Sequence, residues 1–286
     1  MKHSTTKFIH ALNKLCLEKK SILCVGLDPQ PSRHPLHPGF ANGVFNFNRA
    51  IIDATHDLVC AYKPNLAFYE ALGLEGLDSL EKTVQYIRQN TNALVIGDGK
   101  RGDVEHTAKA YAKTLFEVWG FDATTVNAYG GYDSILPFLE YEDKGIFIWC
   151  RSSNPGAVDI QDLHLSDDTN GRRVYEQLAM NANQWNDKDN IGLILGATYP
   201  QEIKIARSLC PTMPFLVPGV GAQKGALEAT VKNGIDSNGL GILVSSSRQI
   251  IYASTESDFA QAAREAAQTF NTHITRILFD IGKELG

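Results

Sequence analysis

The stretch VIGDGKRGDVEHT, residues 95–107, joins an apolar run to the beginning of a helix-like segment. The run belongs to a β-rich segment that starts at residue 93 and stops at Asp98, where alternating charges begin. The segment that follows, 104–120, has a helical pattern and closes on Gly120, a residue suited to the position just after a helix. This order of strand and then helix decides the fold, because it recurs along the chain.

Eight short β-rich apolar runs are spread along the sequence. They are SILCVGL (21–27), LVCAYKP (58–64), ALVIGD (93–98), DATTVNA (122–128), GIFIWC (145–150), IGLILGA (191–197), PFLVPGV (214–220) and GILVSSS (241–247). Continuous apolar runs are typical of parallel strands that are covered on both faces. Eight strand–helix units in about 250 residues predict an α/β fold of the (β/α)8 TIM-barrel type. A doubly wound open sheet is the alternative, although no G-x-G-x-x-G motif follows the first run, which weakens its dinucleotide-binding version.

The sequence predicts one barrel domain over residues 1–286, because no segment has the composition of a linker. Segment 1–20 is expected to form a short amphipathic N-terminal helix, since it lacks the unbroken apolar core of a signal peptide. Segment 257–284 is expected to supply the last helix of the barrel. The polar segment 152–171 predicts a long loop after the fifth strand, either a lid over the mouth or a tolerated surface insertion.

Composition excludes several classes of protein. The chain has 286 residues, of which 43% are hydrophobic and 21% charged, and its net charge is −5. Because no block of Lys and Arg occurs, we expect no nucleic-acid partner. No run approaches the roughly 20 apolar residues that span a bilayer, so we expect no membrane partner. The five cysteines are odd in number and form no C-x-x-C pair, which indicates reduced thiols and a cytoplasmic protein.

Polar residues follow six of the eight runs at the point where each run ends. In chain order they are Asp28, Lys63, Asp98 with Lys100, the SSN segment that contains Ser153, the turn PGVGAQ (218–223) and Arg248. Active sites of (β/α)8 barrels lie at the carboxyl ends of the strands, so we expect these groups to share one mouth. Side chains alternate along a strand, so Asp98 and Lys100 point to the same side, within reach of Lys63.

Some of these residues also have a purely structural interpretation. Lys63 and Lys100 could be surface lysines whose aliphatic stems cover apolar neighbours. Asp103 directly precedes a helix, and aspartate is a good N-cap residue. The cap and a role in the site are compatible with each other.

The last two strand ends predict a phosphate site. The glycines of PGVGAQ (218–223) let backbone N–H groups approach an anion closely. Arg248 follows the next strand, and its guanidinium can bind a phosphate through two N–H groups. The loops after strands seven and eight are the usual phosphate site of this fold.

These motifs together resemble the orotidine 5′-phosphate decarboxylase family, in its longer bacterial subfamily (type 2). The resemblance is carried from the first strand to the last by GLDPQP (26–31), YKPNLAFYE (62–70), DGKRGDVEHTA (98–108), SSNPGA (152–157), PGVGAQ (218–223) and SSSRQIIYA (245–253). The D-x-K-x-x-D pattern alone also occurs in related barrels that handle sugar phosphates, whereas the full ordered set is specific. The departures remove no functional group: Gly99 and Val104 stand where Ala and Ile are common, and Lys224 where Gly is frequent.

The resemblance implies a barrel of the ribulose-phosphate-binding type that converts orotidine 5′-phosphate to UMP in pyrimidine biosynthesis, without a cofactor or a metal. It also implies a homodimer with shared active sites, in which the partner subunit supplies Asp103 and Thr107. The implied roles are ribose binding by Asp28, Lys63 and Thr107, an alternating array of Lys63, Asp98, Lys100 and Asp103 around the reacting carbon, pyrimidine binding by Ser153, a bridge from base to phosphate by Gln223, and phosphate binding by Arg248 and the backbone near Gly221.

Decarboxylation at C6 of the pyrimidine leaves a carbanion whose lone pair lies in the ring plane, where the π-system cannot absorb it. With no cofactor motif in the sequence, the available device is electrostatic. The acids beside Lys100 favour its charged form, and a fixed ammonium group near C6 would stabilise the carbanion and then protonate it. Two alternatives stay open: a metal-dependent sugar-phosphate aldolase or synthase with Mg²⁺ on acids near the third strand, and a non-catalytic barrel that binds pyrimidine nucleotides.

Overall fold

The computed structural model describes residues 7–30, 33, 40–166, 171–220 and 224–285. Its centre is a closed barrel in which each strand pairs in parallel with the next along the chain, and the last strand pairs with the first. The strands are β1 Leu23–Leu27, β2 Ala61–Pro64, β3 Leu94–Arg101, β4 Ala123–Val126, β5 Gly145–Arg151, β6 Ile191–Leu195, β7 Phe215–Pro218 and β8 Ile242–Ser246. Each strand overlaps one of the eight apolar runs, so the (β/α)8 prediction is confirmed and the open sheet is excluded.

Helices follow the strands and surround the barrel. They are α1 Phe8–Lys19, α2 Phe40–Thr55, α3 Leu66–Glu70, α4 Gly73–Asn90, α5 Glu105–Lys113, α6 Leu136–Leu139, α7 Val174–Gln184, α8 Pro200–Leu209, α9 Lys224–Gly234, α10 Arg248–Ile251 and α11 Phe259–Asp280. Helix α1 lies within the segment that was expected to be helical before the first strand, and α11 lies within 257–284. In the part of the chain that the structure describes, no helix is long and apolar enough to cross a membrane.

The strands are apolar throughout because both of their faces are covered. All residues of β1, β6 and β8 are buried, as expected where one face fills the barrel and the other packs on helices. Helix α1 packs at the N-terminal end of β5, where the ring of Phe8 lies edge-on to Phe147 with 5.9 Å between centroids. A side chain at Gly145 would collide with that Phe8 ring, so the glycine is what lets α1 approach the strand.

Strand β3 departs from the sequence prediction, which ended it at Asp98. It continues to Arg101, which pairs with Val126 of β4, and the register between the two strands shifts between Gly97 and Arg101. Within this irregular segment Lys100 has φ 46°, in the left-handed region. The charges therefore lie inside the strand, because pairing with β4 outweighs the end of the apolar run.

The predicted helix over 104–120 is present in two parts. Helix α5 passes into a π-helical turn over Thr114–Val118, and Gly120 follows with φ 75°, the conformation that favours glycine. The N-cap interpretation of Asp103 is wrong, because Val104 occupies that position. The Asp103 carboxylate instead accepts a hydrogen bond of 2.7 Å from the Val104 N–H.

The N-terminal face of the barrel is held together near β7 and β8 by one half-buried guanidinium group. Arg207, near the end of α8, stacks on Phe215 with its Cζ 3.7 Å from the ring centroid. Burial lowers the pKa of Arg207 to about 10. Its N–H groups donate to five carbonyl oxygens in the segments that lead into the two strands, those of Cys210 (2.8 Å), Pro211 (3.3 Å), Met213 (2.8 Å), Gly234 (2.6 Å) and Gly241 (2.7 Å).

We expect Arg207→Met to lower the free energy of unfolding by about 2–5 kcal/mol, because partly buried carbonyl groups would lose their donors. Urea denaturation at fixed protein concentration measures this loss. Arg276→Met on the exposed face of α11 is the matched control and should change stability by less than about 0.5 kcal/mol. Equal, small effects of the two substitutions would contradict the role assigned to Arg207.

Candidate active site

A cavity of about 460 Å³ opens at the carboxyl end of the barrel. Its walls come from the ends of β1, β2, β3, β5, β7 and β8, as the placement of polar residues in the sequence predicted, and from Ile194 of β6. The site residues that the sequence analysis selected and the cavity brings together are Asp28, Lys63, Asp98, Lys100, Ser153 and Arg248. Such convergence of charged groups in one concave site is typical of a catalytic centre.

The carboxylate of Asp98 is the centre of the charged group. Its Oδ2 accepts a hydrogen bond of 2.7 Å from Lys63 Nζ, and its Oδ1 accepts one of 2.6 Å from Lys100 Nζ. Lys63 and Asp98 are only 5% and 7% exposed, whereas the side chain of Lys100 is 33% exposed at the cavity. The surface-lysine interpretation is therefore wrong for Lys63, because its ammonium group is buried against a carboxylate.

Burial and charge act on these groups in opposite directions. Burial alone would raise the pKa of Asp98, but the ammonium groups of Lys63 and Lys100 outweigh it and hold that pKa well below the usual range. Burial would lower the pKa of Lys63, but Asp98 and then Asp28 outweigh it and raise that pKa above the ordinary lysine value. Lys63 and Asp98 thus stay charged at neutral pH.

Two buried polar atoms near the mouth have no hydrogen-bond partner among the described residues. They are Oδ1 of Asp28, after β1, and Oγ of Ser247, after β8. Both residues line the cavity beside Arg248 and Gly219, whose φ of 86° is the conformation that favours glycine. Buried polar atoms normally have partners, so these two are candidates for contacts with a polar ligand in the cavity.

The predicted phosphate ligands are only partly described. Arg248 begins α10 and lines the cavity with an exposed side chain. Gly221 and Gln223 lie outside the described residues.

Residues that the sequence analysis did not select also line the cavity, among them Asn65 and Trp149. Asn65 also has a structural role, because its Oδ1 caps α3 by accepting a hydrogen bond of 3.2 Å from the Ala67 N–H. Trp149 stands in an apolar run, where an aromatic residue is expected to belong to the core.

Asp103 and Thr107 are not among the described residues that line the cavity. Asp103 is half-buried, and its N–H donates to the Ser134 carbonyl at 3.4 Å. Thr107, in the first turn of α5, is exposed. Within one chain, these two residues do not join the other selected residues.

The loop after β5 is anchored to the barrel at its beginning. Arg151 is 1% exposed and forms a two-point ion pair with Asp162, at 3.0 Å from Nε to Oδ1 and 2.8 Å from Nη2 to Oδ2. The Ser152 N–H donates to Oε1 of Gln161 at 2.8 Å. These contacts fix the short segment that carries Ser153 at the mouth, because bidentate pairs define geometry as well as energy.

The charged group is poorly suited to a divalent metal ion. Each carboxylate oxygen of Asp98 already accepts a hydrogen bond from a lysine ammonium group, and those positive charges would repel a second cation. In the described ranges, no cluster of three or more His, Cys, Asp or Glu side chains is arranged to hold a metal ion.

Known proteins resemble this chain over most of its length. A family model described as orotidine 5′-phosphate decarboxylase / HUMPS family matches residues 21–266. The orotidine 5′-phosphate decarboxylase of Dehalococcoides mccartyi strain BAV1 is 46% identical over 262 residues, which cover 92% of this chain and 95% of that protein. The enzyme of that name from Cellvibrio japonicus is 47% identical over 272 residues, covering 93% and 97%. The structure of Leishmania donovani OMP decarboxylase aligns with a TM-score of 0.80 at 35% identity, covering 94% of this chain and 99% of that one.

We expect the pH dependence of stability to reveal Asp98. Since the folded protein holds the pKa of this carboxyl low, its stabilising contribution is present above the unfolded value of about 3.9 and is lost as the pH falls through the lower folded value. Asp98→Asn removes that contribution and leaves Lys63 buried without an anionic partner. The stability gap between wild type and variant should therefore be large at pH 7 and shrink below about pH 4.

Thermal unfolding midpoints measured from pH 7 to pH 3 test this expectation. Asp280→Asn, at the exposed end of α11, is the control and should follow the wild type throughout. A gap for Asp98→Asn that keeps its size at every pH would show that the carboxylate is not held in its charged form by the fold.

Proposed function

The chain belongs to the orotidine 5′-phosphate decarboxylase / HUMPS family, and on that premise we propose that it decarboxylates orotidine 5′-phosphate to UMP in pyrimidine biosynthesis. The observation that carries the proposal is the Asp98 carboxylate between the ammonium groups of Lys63 and Lys100, at the wall of the barrel cavity. A fixed alternation of charge suits this reaction, because the carboxylate of the substrate leaves as CO₂ and a carbanion forms beside an ammonium group.

Lys100 acts on the reacting carbon. Its Nζ is tied to Asp98 Oδ1 at 2.6 Å and lines the cavity, so the ammonium group is already placed when the substrate binds. Two unit charges 4 Å apart interact by about 4 kcal/mol at an effective dielectric constant of 20. As CO₂ leaves, this charge stabilises the C6 carbanion, and Lys100 then donates its proton to that carbon. Lys63 keeps Asp98 ionised and also contacts the ribose.

The remaining groups orient the substrate. The unpartnered Oδ1 of Asp28 accepts a hydrogen bond from a ribose hydroxyl. Ser153 binds the pyrimidine edge from the anchored loop, and Arg248 binds the phosphate. Gln223 and the backbone near Gly221 complete the phosphate site. Binding energy from this distant phosphate can be used to hold the ring against Lys100.

The protein acts as a homodimer with shared active sites. Among the described residues, Asp103 and Thr107 do not line the cavity of their own chain, which leaves them available to a partner's cavity. Apolar side chains lie exposed near them: Val104 is 71% exposed, and Tyr129, in the loop beside Asp103, is 85% exposed. Exposed apolar groups of this kind are typical of subunit interfaces. The partner's copy of Asp103 completes the alternating array.

The proposal extends to the setting of the enzyme. All five cysteines are buried free thiols, which supports a reducing compartment, and we place the protein in the cytoplasm. The closed barrel with its flanking helices over the described residues supports a single domain, and the lining residues Ser152, Ser153 and Asn154 support a place for the beginning of the long loop at the mouth.

The decisive assay follows the absorbance of orotidine 5′-phosphate with the purified protein in excess EDTA, with CO₂ measured in parallel. We expect rapid loss of absorbance and one CO₂ for each substrate molecule consumed, because no metal takes part. Turnover of sugar phosphates that requires Mg²⁺ would instead support the aldolase or synthase alternative. Tight binding of UMP by folded protein without CO₂ release would support the non-catalytic alternative.

Mixed dimers test the shared site. Lys100→Ala chains and Asp103→Ala chains should each be inactive alone, since every site then lacks one charged group. Equal mixing with subunit exchange should restore about one quarter of the wild-type sites, because half of the dimers are mixed and each of those has one intact site. Mass spectrometry of tagged chains confirms exchange. Demonstrated exchange without recovered activity would place Asp103 in the site of its own chain.

A further inference from the structure

Lys100 has an unusual backbone for a residue within a strand. Among the described residues, three that are not glycine have a positive φ: Lys20 (49°) caps α1, Asp189 (52°) lies in a turn, and Lys100 (46°) lies within β3. Such a conformation costs on the order of 1–3 kcal/mol and persists only where the surroundings enforce it. Some neighbouring group must therefore hold the backbone of Lys100 in place.

The register of the two strands shows where that group lies. Gly97 pairs with Thr124, and Arg101 pairs with Val126. Three residues of β3 thus stand opposite Thr125 alone in β4. Thr125 is fully buried and is not among the described residues that line the cavity, and its hydroxyl group lies against the irregular segment of β3.

The hydroxyl group of Thr125 contacts both ends of the charged group. The Lys100 N–H donates to Thr125 Oγ1 at 2.9 Å, and Thr125 Oγ1 lies 2.9 Å from Oδ1 of Asp98. The direction of the second bond follows from the first, because an amide can only donate and an ionised carboxylate can only accept. The single hydroxyl proton of Thr125 is therefore directed at Asp98.

These bonds close a ring through one carboxylate oxygen. Oδ1 of Asp98 accepts from Lys100 Nζ at 2.6 Å as well as from Thr125. Both ends of Lys100 are thus bonded to the same atom of Asp98. The ammonium group is bonded to it directly, and the backbone N–H is bonded to it through the Thr125 hydroxyl. Loss of the hydroxyl would leave a partly buried N–H and a carboxylate oxygen short of a partner and would release the left-handed backbone.

We propose that Thr125 is a positioning residue for the decarboxylation, one that aims the ammonium group of Lys100 by fixing its backbone and its carboxylate neighbour. The inference rests on the proposed function for its catalytic consequence, although the hold on Lys100 can be tested without any turnover. Displacement of a catalytic group by about 1 Å can lower a rate on the order of 100-fold.

Thr125→Val removes the hydroxyl at nearly constant volume, and Thr125→Ser retains it. We expect Thr125→Val to lower kcat at least about tenfold with KM within about threefold of wild type, because the ribose and phosphate contacts are untouched. Thr125→Ser should stay within about fivefold of the wild-type kcat. Equal losses in the two variants, or an unchanged kcat in Thr125→Val, would overturn the proposal.

Thr124→Val is the matched control. Thr124 is also fully buried in β4, but its hydroxyl donates to the Gly97 carbonyl at 2.9 Å and touches neither charged residue. A merely structural effect of removing a buried hydroxyl predicts the same kinetics for the valine variants at 124 and 125. We expect Thr124→Val to keep the wild-type kcat.

Hydrogen exchange of the Lys100 amide, measured by NMR, is independent of activity. We expect faster exchange in Thr125→Val and unchanged exchange in Thr125→Ser and Thr124→Val. Inactive wild-type protein would refute the proposed function, while the exchange rates would still decide whether Thr125 holds Lys100.

If Thr125→Val does not fold, Thr125→Ala removes the hydroxyl without a methyl group against Asp98. It should lower kcat and speed exchange, and wild-type values for both would overturn the proposal.

Discussion

The carboxylate of Asp98, held between the ammonium groups of Lys63 and Lys100, is the interaction on which the rest of the site depends. Burying charge is unfavourable unless each charge is paired, and here one carboxylate oxygen serves each lysine. The barrel makes this possible because the neighbouring strands β2 and β3 deliver the two lysines and the acid to the same end. The same pairing holds the Nζ of Lys100 next to the cavity, where an anion is to form. The interaction thus serves stability and chemistry at once.

The barrel separates the parts that maintain the fold from the parts that carry the site. At the N-terminal face, the guanidinium group of Arg207 donates hydrogen bonds to backbone carbonyls, and Phe8 packs on the start of β5. At the opposite face, residues from seven strand ends meet around the cavity. The loop after β5 belongs to this second group, because the buried Arg151–Asp162 pair fixes its beginning. Substitutions at the two faces should therefore affect different measurements.

The order of the strands could be predicted because strands covered on both faces remain apolar along their whole length. The meeting of Asp98 with its two lysines was predicted from alternation along β3 and from the position of β2, although the structure brings Lys100 there through an irregular register and not through regular alternation. The left-handed backbone of Lys100 could not be predicted, because a hydroxyl group from another strand enforces it and no local sequence pattern reveals that contact. The apolar run suggested an end at Asp98, whereas pairing with β4 carries the strand to Arg101. Asp103 looked like a helix cap by its position, but the helix begins one residue later.

The central claim is that the ammonium group of Lys100 lowers the barrier to decarboxylation and protonates the product. The most direct test is CO₂ release from saturating orotidine 5′-phosphate by wild type and Lys100→Ala, with UMP binding measured on both proteins. The account predicts that the variant still binds UMP through the ribose and phosphate contacts and releases no detectable CO₂. CO₂ release by Lys100→Ala at a substantial fraction of the wild-type rate would contradict it.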